Sequence, residues 1–560
     1  MSGHELWSDG YVTQVPYTHG FYEHLSPLHI ELCLTSMGYR SPAWREGFTY
    51  CELGCGHGVT SLVLACLYPQ GQFYVTDFNP VHVEYLGYFV KSLGLTNLHY
   101  TDASFAEYSQ LENEVMFDYI SLHGVYSWIS VENRRYIQDI IRKRLKIGGV
   151  VSISYNVLPG WLMSLPLREA MMRYQKTECG NHVLERLQKS IELMDKMQEN
   201  HAIYFSYEPV RQRYDLMKRG NVSYIMHEYF NEDWHPLYSS EVIDEMARAK
   251  LNYICSADIL NNIPSCTFVQ AVHEHILSIH DVGTRELVRD LYLNTQFRKD
   301  IYIRGGQRLG AQEQENWLKK QHIVLMQKKE NINFQPHHGM VQINLSKNIY
   351  EPIVDNLSYH EPVNVYDFYR NLGFIQETST VVFGQTEQPF ALSAFWESLF
   401  TLVGFGYVRF YDKTLENYSY VGRFNQLIID QASFQAELFY LILPHIHSVI
   451  SLSYLEFLFL RWELSGKLEP LLEYIIRMMK QYNFSLVDDE GKALTSPEEQ
   501  LRLLESKYAA FAEGNRLMLE HFGALAAINH LDKLGGTPVH SRGFSALPEN
   551  KASGRKRGRL

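Results

Sequence analysis

The chain has 560 residues, 46% hydrophobic, 20% charged and 13% aromatic, with 51 basic against 63 acidic side chains and a formal net charge of −12. This composition excludes a disordered or fibrous chain, allows three or four domains at roughly 100–200 residues each, and argues against a surface that grips nucleic-acid phosphate by charge alone. Seven cysteines, an odd set without a C-x-x-C pair, suit free thiols in a reducing, cytoplasmic setting.

Met1–Gly10 lacks a basic stretch followed by an apolar core, so no secretory signal is read there. From residue 46 onward, short β-branched or aromatic runs alternate with helical patterns. Phe48–Glu52, Gln72–Thr76, Asn97–Thr101, Phe117–Leu122 and Val150–Tyr155 predict strands, and Val59–Leu67, Val81–Leu93 and Glu132–Leu145 predict helices. That alternation predicts an α/β fold, a doubly wound parallel sheet with helices on both faces.

After Pro166 the pattern turns helical, with Leu167–Tyr174, Val183–Met197 and Pro209–Met217 as an insertion. The helical stretch Ser240–Ala249 and the strand Leu251–Cys255 could then rejoin the sheet. Lys319–Phe334, polar and rich in Gln and Asn, reads as an inter-domain connection. Beyond it lies a second, mostly helical body. Leu438–Leu460 is its most apolar window, but Pro444, His445, His447 and Glu456 interrupt it, which predicts buried helices rather than a membrane span. Ser496-Pro497-Glu498-Glu499 predicts a capping box that opens a helix. From about Gly535 the chain has no periodicity, and its basic cluster of Lys551, Arg555, Lys556, Arg557 and Arg559 reads as a solvated tail.

The strongest chemical signal is Glu52-Leu53-Gly54-Cys55-Gly56-His57-Gly58, a strand end followed by three alternating glycines and a helix. A bulky, cationic nucleotide cofactor must press against the backbone there, which only residues without a Cβ permit. Glu52 can bind a cationic end of the cofactor. The G-x-G-x-x-G frame of dinucleotide sites fails, because its sixth position is Val59 or Ser61. Asp77 ends the second strand, where it can accept bonds from two ribose hydroxyls. Phe78 can pack on the ribose or adenine, and Asp102-Ala103 ends the third strand near an adenine amino group.

In this order, an acidic residue, glycines and a ribose-binding acid over residues 46–160, the chain resembles the class I S-adenosylmethionine-dependent methyltransferases. The resemblance implies S-adenosylmethionine as cofactor, held by Glu52, Gly54, Gly56, Gly58, Asp77, Phe78, Asp102, Ala103 and His123.

Methyl transfer from a sulfonium is an in-line displacement that asks mainly for alignment and desolvation. The acceptor should lie at the ends of the fourth and fifth strands, which carry His123, Tyr126, Trp128, Tyr155, Asn156 and Trp161. His123 could orient the acceptor or take its proton, and the aromatics could face a methylammonium. Core packing accounts for the same aromatics. Asn156-Val157-Leu158-Pro159 is not the D/N-P-P-Y/F/W signature of nucleic-acid and glutamine amino-methyltransferases.

Two further runs narrow the resemblance. Tyr11, Pro16-Tyr17, Ser26-Pro27 and the Y-N-x-L-P-G-W run at Tyr155–Trp161 are similar to a bacterial group. His227-Glu228-Tyr229-Phe230-Asn231 with Pro236-Leu237-Tyr238 is similar to that group's methyltransferase regulatory domain.

The group's best-known members, the rickettsial protein-lysine methyltransferases, imply a layout for this chain. Residues 1–45 form a lid, with Tyr17 over the cofactor, and 46–165 the Rossmann-like core. Residues 166–218 form a helical insertion that could build a homodimer, and 219–318 a regulatory middle domain. Residues 335–534 form a winged-helix-like, α-rich C-terminal domain, and 535–560 a disordered basic tail. The implied acceptor is protein lysine. A small-molecule O- or N-methyltransferase and a non-catalytic S-adenosylmethionine-binding regulator stand as alternatives. No metal is expected, since His273-Glu274-His275 lacks the H-E-x-x-H spacing.

Overall fold

The near-continuous apolar runs of the first third build five strands of a seven-stranded sheet. Its strands are β1 (Phe48–Leu53), β2 (Gly71–Thr76), β3 (Leu98–Thr101), β4 (Phe117–Leu122), β5 (Leu145–Asn156), β6 (Asn252–Ser256) and β7 (Phe297–Ile303), in the order β3-β2-β1-β4-β5-β7-β6. The first five pair in parallel, and β7 runs antiparallel between β5 and β6. Strands buried on both faces need apolar side chains throughout, and Tyr50, Cys51, Leu53, Ile120 and Val151 are all fully buried. The structure, a computed structural model, describes residues 19–111, 115–178, 183–220, 222–345, 348–359, 361–372, 380–383, 386–389, 392–413, 419–431, 440–482, 484–487 and 492–533. Tyr17 and the basic tail lie outside the described residues.

Helices α1 (Pro27–Ser36), α2 (Val59–Leu67), α3 (Pro80–Leu93), α4 (Phe105–Gln110) and α5 (Val131–Arg144) accompany the parallel strands. Helix α5 shows why the sequence folds this way locally. The Ser130 hydroxyl accepts the Asn133 amide at its start, and Arg142, Lys143 and Arg144 face the negative end of its dipole.

The described residues between β5 and β6 form helices and loops: α6 (Leu158–Trp161), α7 (Leu165–Glu178), α8 (Val183–Glu199), α9 (Glu208–Arg219), α10 (Val222–Tyr229) and α11 (Ser239–Arg248). Trp161, Met171, Met194, Phe205, Tyr214, Met217, Tyr229 and Trp234 share one apolar core, so the insertion and the start of the regulatory segment pack together.

Three expectations change. Lys319–Phe334 is not a bare connection, because strand His322–Leu325 within it pairs antiparallel with Val363–Asn364 and buries Ile323, Val324 and Leu325. The window Leu438–Leu460 holds a hairpin, Tyr440–Leu443 with Ser448–Ser451, before helix Tyr454–Leu464. Pro444 and His447, at φ +49°, turn the chain there, and β-branched Ile442, Val449 and Ile450 favour strand. Helix Pro497–Glu513 starts at Pro497, but the Ser496 hydroxyl makes no capping bond.

The chain divides into two compact units. One takes in Met1–Ala65, Gln70–Tyr88 and Thr96–Arg409, and the other Cys66–Pro69, Phe89–Leu95 and Phe410–Leu560. The described part of the second is mostly helical, with Phe457, Leu458, Ile475, Leu504 and Phe511 buried in it. Among the described residues no helix is long and apolar enough to cross a membrane.

Candidate active site

Strand order reverses between β1 and β4, so the loops at their carboxyl ends diverge and open a cleft. The first loop is the glycine run. Gly54, Gly56 and Gly58 all take positive φ, at +73°, +54° and +68°. A Cβ on Gly54 would come within 2.6 Å of Val125 Cγ2, and one on Gly58 within 2.7 Å of Leu86 Cδ2, so glycine is required at both.

Asp77, at the end of β2, fastens this loop. Its Oδ2 accepts the Gly56 amide at 2.8 Å, and its Oδ1 accepts the Asn79 amide at 3.0 Å and the His82 Nδ1–H at 3.2 Å. A carboxylate offers about four acceptor sites, so one remains for a ligand hydroxyl.

Glu52 is 3% exposed at the end of β1, and the Ser61 hydroxyl donates to its Oε2. Burial raises its carboxyl to about 7; the Ser61 bond opposes the rise and Asp77 adds to it. His57 stacks on His19 with ring centroids 3.9 Å apart, and its buried Nδ1 has no partner among the described residues. A glycine cradle without room for Cβ atoms, a carboxylate at its floor and an orphaned ring nitrogen fit a bulky cationic nucleotide donor. Glu52 would hold its cationic end and Asp77 its ribose.

The Glu52 titration gives a checkable pH dependence. A cation beside Glu52 binds the ionised form, so below about pH 7 a proton must leave first. Affinity for the donor should therefore fall about tenfold per pH unit below that point and level off above it. Calorimetry in buffers of different ionisation heat should register a proton released near neutral pH. An affinity that stays flat from about pH 5.5 to 7.5 would take Glu52 out of the donor site.

At the end of β4, His123 also lines the cleft. Its Nδ1 lies 3.0 Å from Ser154 Oγ and 3.1 Å from His24 Nε2, and the Tyr22 ring packs on it at 3.6 Å between centroids. Phe297, at the start of β7, meets it edge-on at 5.8 Å. Burial, and then the charge of Lys299, hold the His123 imidazole down to about 3. The same causes, with His123 between them, keep His24 well below its ordinary value. His123 is therefore a neutral ring at physiological pH and a poor proton acceptor, but a competent hydrogen-bonding and packing group.

The structure brings Glu52, Gly54, Gly56, Gly58, Asp77, Phe78, His123 and Trp128 to one cleft. It does not bring the others. Tyr126 is fully buried, and its hydroxyl donates to Glu245 Oε2 at 2.5 Å. Tyr155, also fully buried, donates to Asp300 Oδ2 at 2.6 Å. Asn156 donates to Glu228 Oε1 at 3.1 Å. Trp161 donates to the Gln296 carbonyl at 2.9 Å, with the Arg213 guanidinium 3.7 Å above its ring. These four are held by packing and internal bonds and do not line the cleft. Asp102 is exposed and Ala103 is half-buried. Neither lines the cleft, whereas Phe105 does.

Sequence reasoning missed Tyr22, His57, His82 and Phe105. A signal existed only for His57, which sits inside the glycine run. Of the thiols flanking that run, Cys51 is pushed up to about 12 and Cys55 well above its ordinary value, both chiefly by burial, so neither serves as a nucleophile.

Comparison with known proteins bears on the same two segments. Residues 45–214 match the family described as a methyltransferase domain, and 221–304 the family described as a predicted methyltransferase regulatory domain. An uncharacterized protein of Synechocystis sp. is 33% identical over 517 residues, which are 92% of this chain and 98% of that one. An uncharacterized protein of Rickettsia prowazekii is 26% identical over 317 residues, 56% of each chain. Among solved structures, PKMT2 from Rickettsia typhi in complex with AdoHcy superposes with a TM-score of 0.66. That match covers 90% of this chain and 99% of the other at 19% identity, a likeness of fold.

Proposed function

We propose a protein lysine side chain as the methyl acceptor of this chain, which belongs to the S-adenosylmethionine-dependent methyltransferases that carry a methyltransferase regulatory domain. When bound, S-adenosylmethionine supplies an electrophilic methyl group on a sulfonium. The chain's residues have to deliver a neutral amine to it, since an ammonium has no lone pair.

The observation that carries the reading is the burial of His123 on the wall of the cleft, within the positive field of Lys299. Burial and the Lys299 charge already hold the His123 imidazole neutral. Any amine entering beside His123 meets the same desolvation and the same positive field, both of which disfavour its protonated form. Tyr22, Trp128 and Phe297 supply apolar walls for the four-carbon stem that carries such an amine. The likeness of fold to PKMT2 agrees with this acceptor, as does the resemblance to the rickettsial protein-lysine methyltransferases. By the same reading the insertion 166–218 and the segment 219–318, which share one apolar core, act together within the first unit.

The test is transfer of labelled methyl from S-adenosylmethionine into a lysate of the source cells, with proteins and small molecules separated before counting. Label should appear in discrete protein bands and run as methyl-lysine after acid hydrolysis. Label confined to the small-molecule fraction would sink the lysine reading and favour a metabolite acceptor.

A further inference from the structure

We infer that the regulatory segment holds a second binding site, for a small zwitterion that carries both an ammonium and a carboxylate, as a free amino acid does. The site is a cavity of about 180 Å3 where the end of β6, the start of β7 and the helix Val282–Leu293 meet. Asp258, Asn261, Arg289, Asp290, Phe297 and Lys299 are among its lining residues, and all of these but Phe297 are charged or amide-bearing. An apolar ligand has little to gain there.

The ion pairs around the cavity show which charges are spoken for. Arg298 is saturated by Asp300, Asp290 and Glu286 at 2.9–3.0 Å. Arg289 leans on Glu286 at 3.6 Å and donates to the Asn261 carbonyl at 2.7 Å. Two charges of opposite sign remain. Among the described residues, neither the Lys299 ammonium nor the Asp258 carboxylate has an ion pair or a side-chain hydrogen bond, although both residues line this cavity. A third group, Asp290 Oδ2, is buried without a partner among the described residues. Two opposite charges that share a cavity and do not pair with each other complement a ligand with the reverse pair, its carboxylate toward Lys299 and its ammonium toward Asp258.

Strand β7 links this cavity to the donor cleft. Lys299 lies directly across from Ser154 on β5, and Ser154 Oγ is 3.0 Å from His123 Nδ1. Phe297 lines the second cavity and also touches the His123 ring. The donor is a cation, so the Lys299 charge opposes its binding. A carboxylate on Lys299 removes that opposition, and the two ligands must then tighten each other by the same factor. The inference does not depend on which group accepts the methyl.

The experiment is calorimetry on the full chain with glycine, L-lysine and L-glutamate as probes, and with acetate and methylammonium as single-charge controls. Each is run with and without S-adenosylmethionine. At least one amino acid should bind saturably, both controls should fail, and S-adenosylmethionine should tighten that amino acid about 5-fold or more. Asp258→Asn and Lys299→Met should each weaken the amino acid by about tenfold or more. Asp258→Asn alone should leave S-adenosylmethionine affinity unchanged, which also verifies that the variant is folded, while Lys299→Met should raise it. Absence of saturable binding by all three amino acids overturns the inference. So does equal binding of acetate, which would make this an anion site, or binding indifferent to both substitutions.

Discussion

Asp77→Ala should weaken S-adenosylmethionine binding by about 2–4 kcal/mol, roughly 30- to 1000-fold in Kd. The size follows from what the carboxylate does before any ligand arrives. It takes the Gly56 and Asn79 amides and the His82 ring N–H at once, so it fixes the shape of the glycine loop as well as offering an acceptor to the ribose. Removal frees three donors in a site where Asp77 itself is only 7% exposed, and a buried donor left without a partner is costly. Calorimetry on the folded variant gives the answer directly. Unchanged affinity would mean that the loop keeps its shape without Asp77 and that the ribose is held elsewhere.

The second large effect concerns stability. Arg298→Met should destabilise the first unit by at least about 3–5 kcal/mol at neutral pH, because it leaves a cluster of buried carboxylates without their counter-charge. Glu286, Asp290 and Asp300 are 4%, 1% and 1% exposed, and Arg298 contacts all three. Burial opposes the arginine's charge, but Asp300 and Asp290 more than outweigh it and hold the guanidinium firmly protonated.

In the variant these carboxyls would be raised above their unfolded values, so stability would be lost as pH rises from about 4 up to their raised folded-state values and regained on acidification across that range. Urea denaturation followed by circular dichroism at about pH 7.5 and pH 5.5 should show a much lower midpoint that partly recovers at the lower pH. A midpoint equal to that of the parent at both pH values would show that the acids do not depend on Arg298.

The parallel half of the sheet could be read from sequence because each strand is an apolar run between helices of clear period. Helix Val59–Leu67 and strand Phe117–Leu122 fall where the pattern puts them. Strand β7 could not be read so easily. Its sequence, Phe297-Arg298-Lys299-Asp300-Ile301-Tyr302-Ile303, carries three successive charges, which reads as surface. Two of those charges are buried because Glu286 and Asp290, on the preceding helix, and Asp300 neutralise Arg298, and single-sequence periodicity carries no sign of such pairing.

The site divides the same way. Glu52, the three glycines and Asp77 announce themselves because close backbone approach restricts residue type locally. Tyr22, His82, Phe105 and Lys299 are common residues that converge only through topology. The aromatic run at the end of β5 stays out of the cleft for a related reason. Tyr155 and Trp161 have the right chemistry, but their polar atoms were already committed to Asp300 and to the Gln296 carbonyl.

The place of β7 between β5 and β6 has a consequence for how the protein is made. On the ribosome, β5 is complete at Asn156, yet the strand that covers its open side is not finished until Ile303. Until then the nascent chain presents β5 as a bare sheet edge, available to any other unpaired strand nearby. The helical core around Trp161 and Tyr214 is the first thing able to form after that edge. A message cut short between those two points would leave that edge unpaired and yield a chain prone to aggregate.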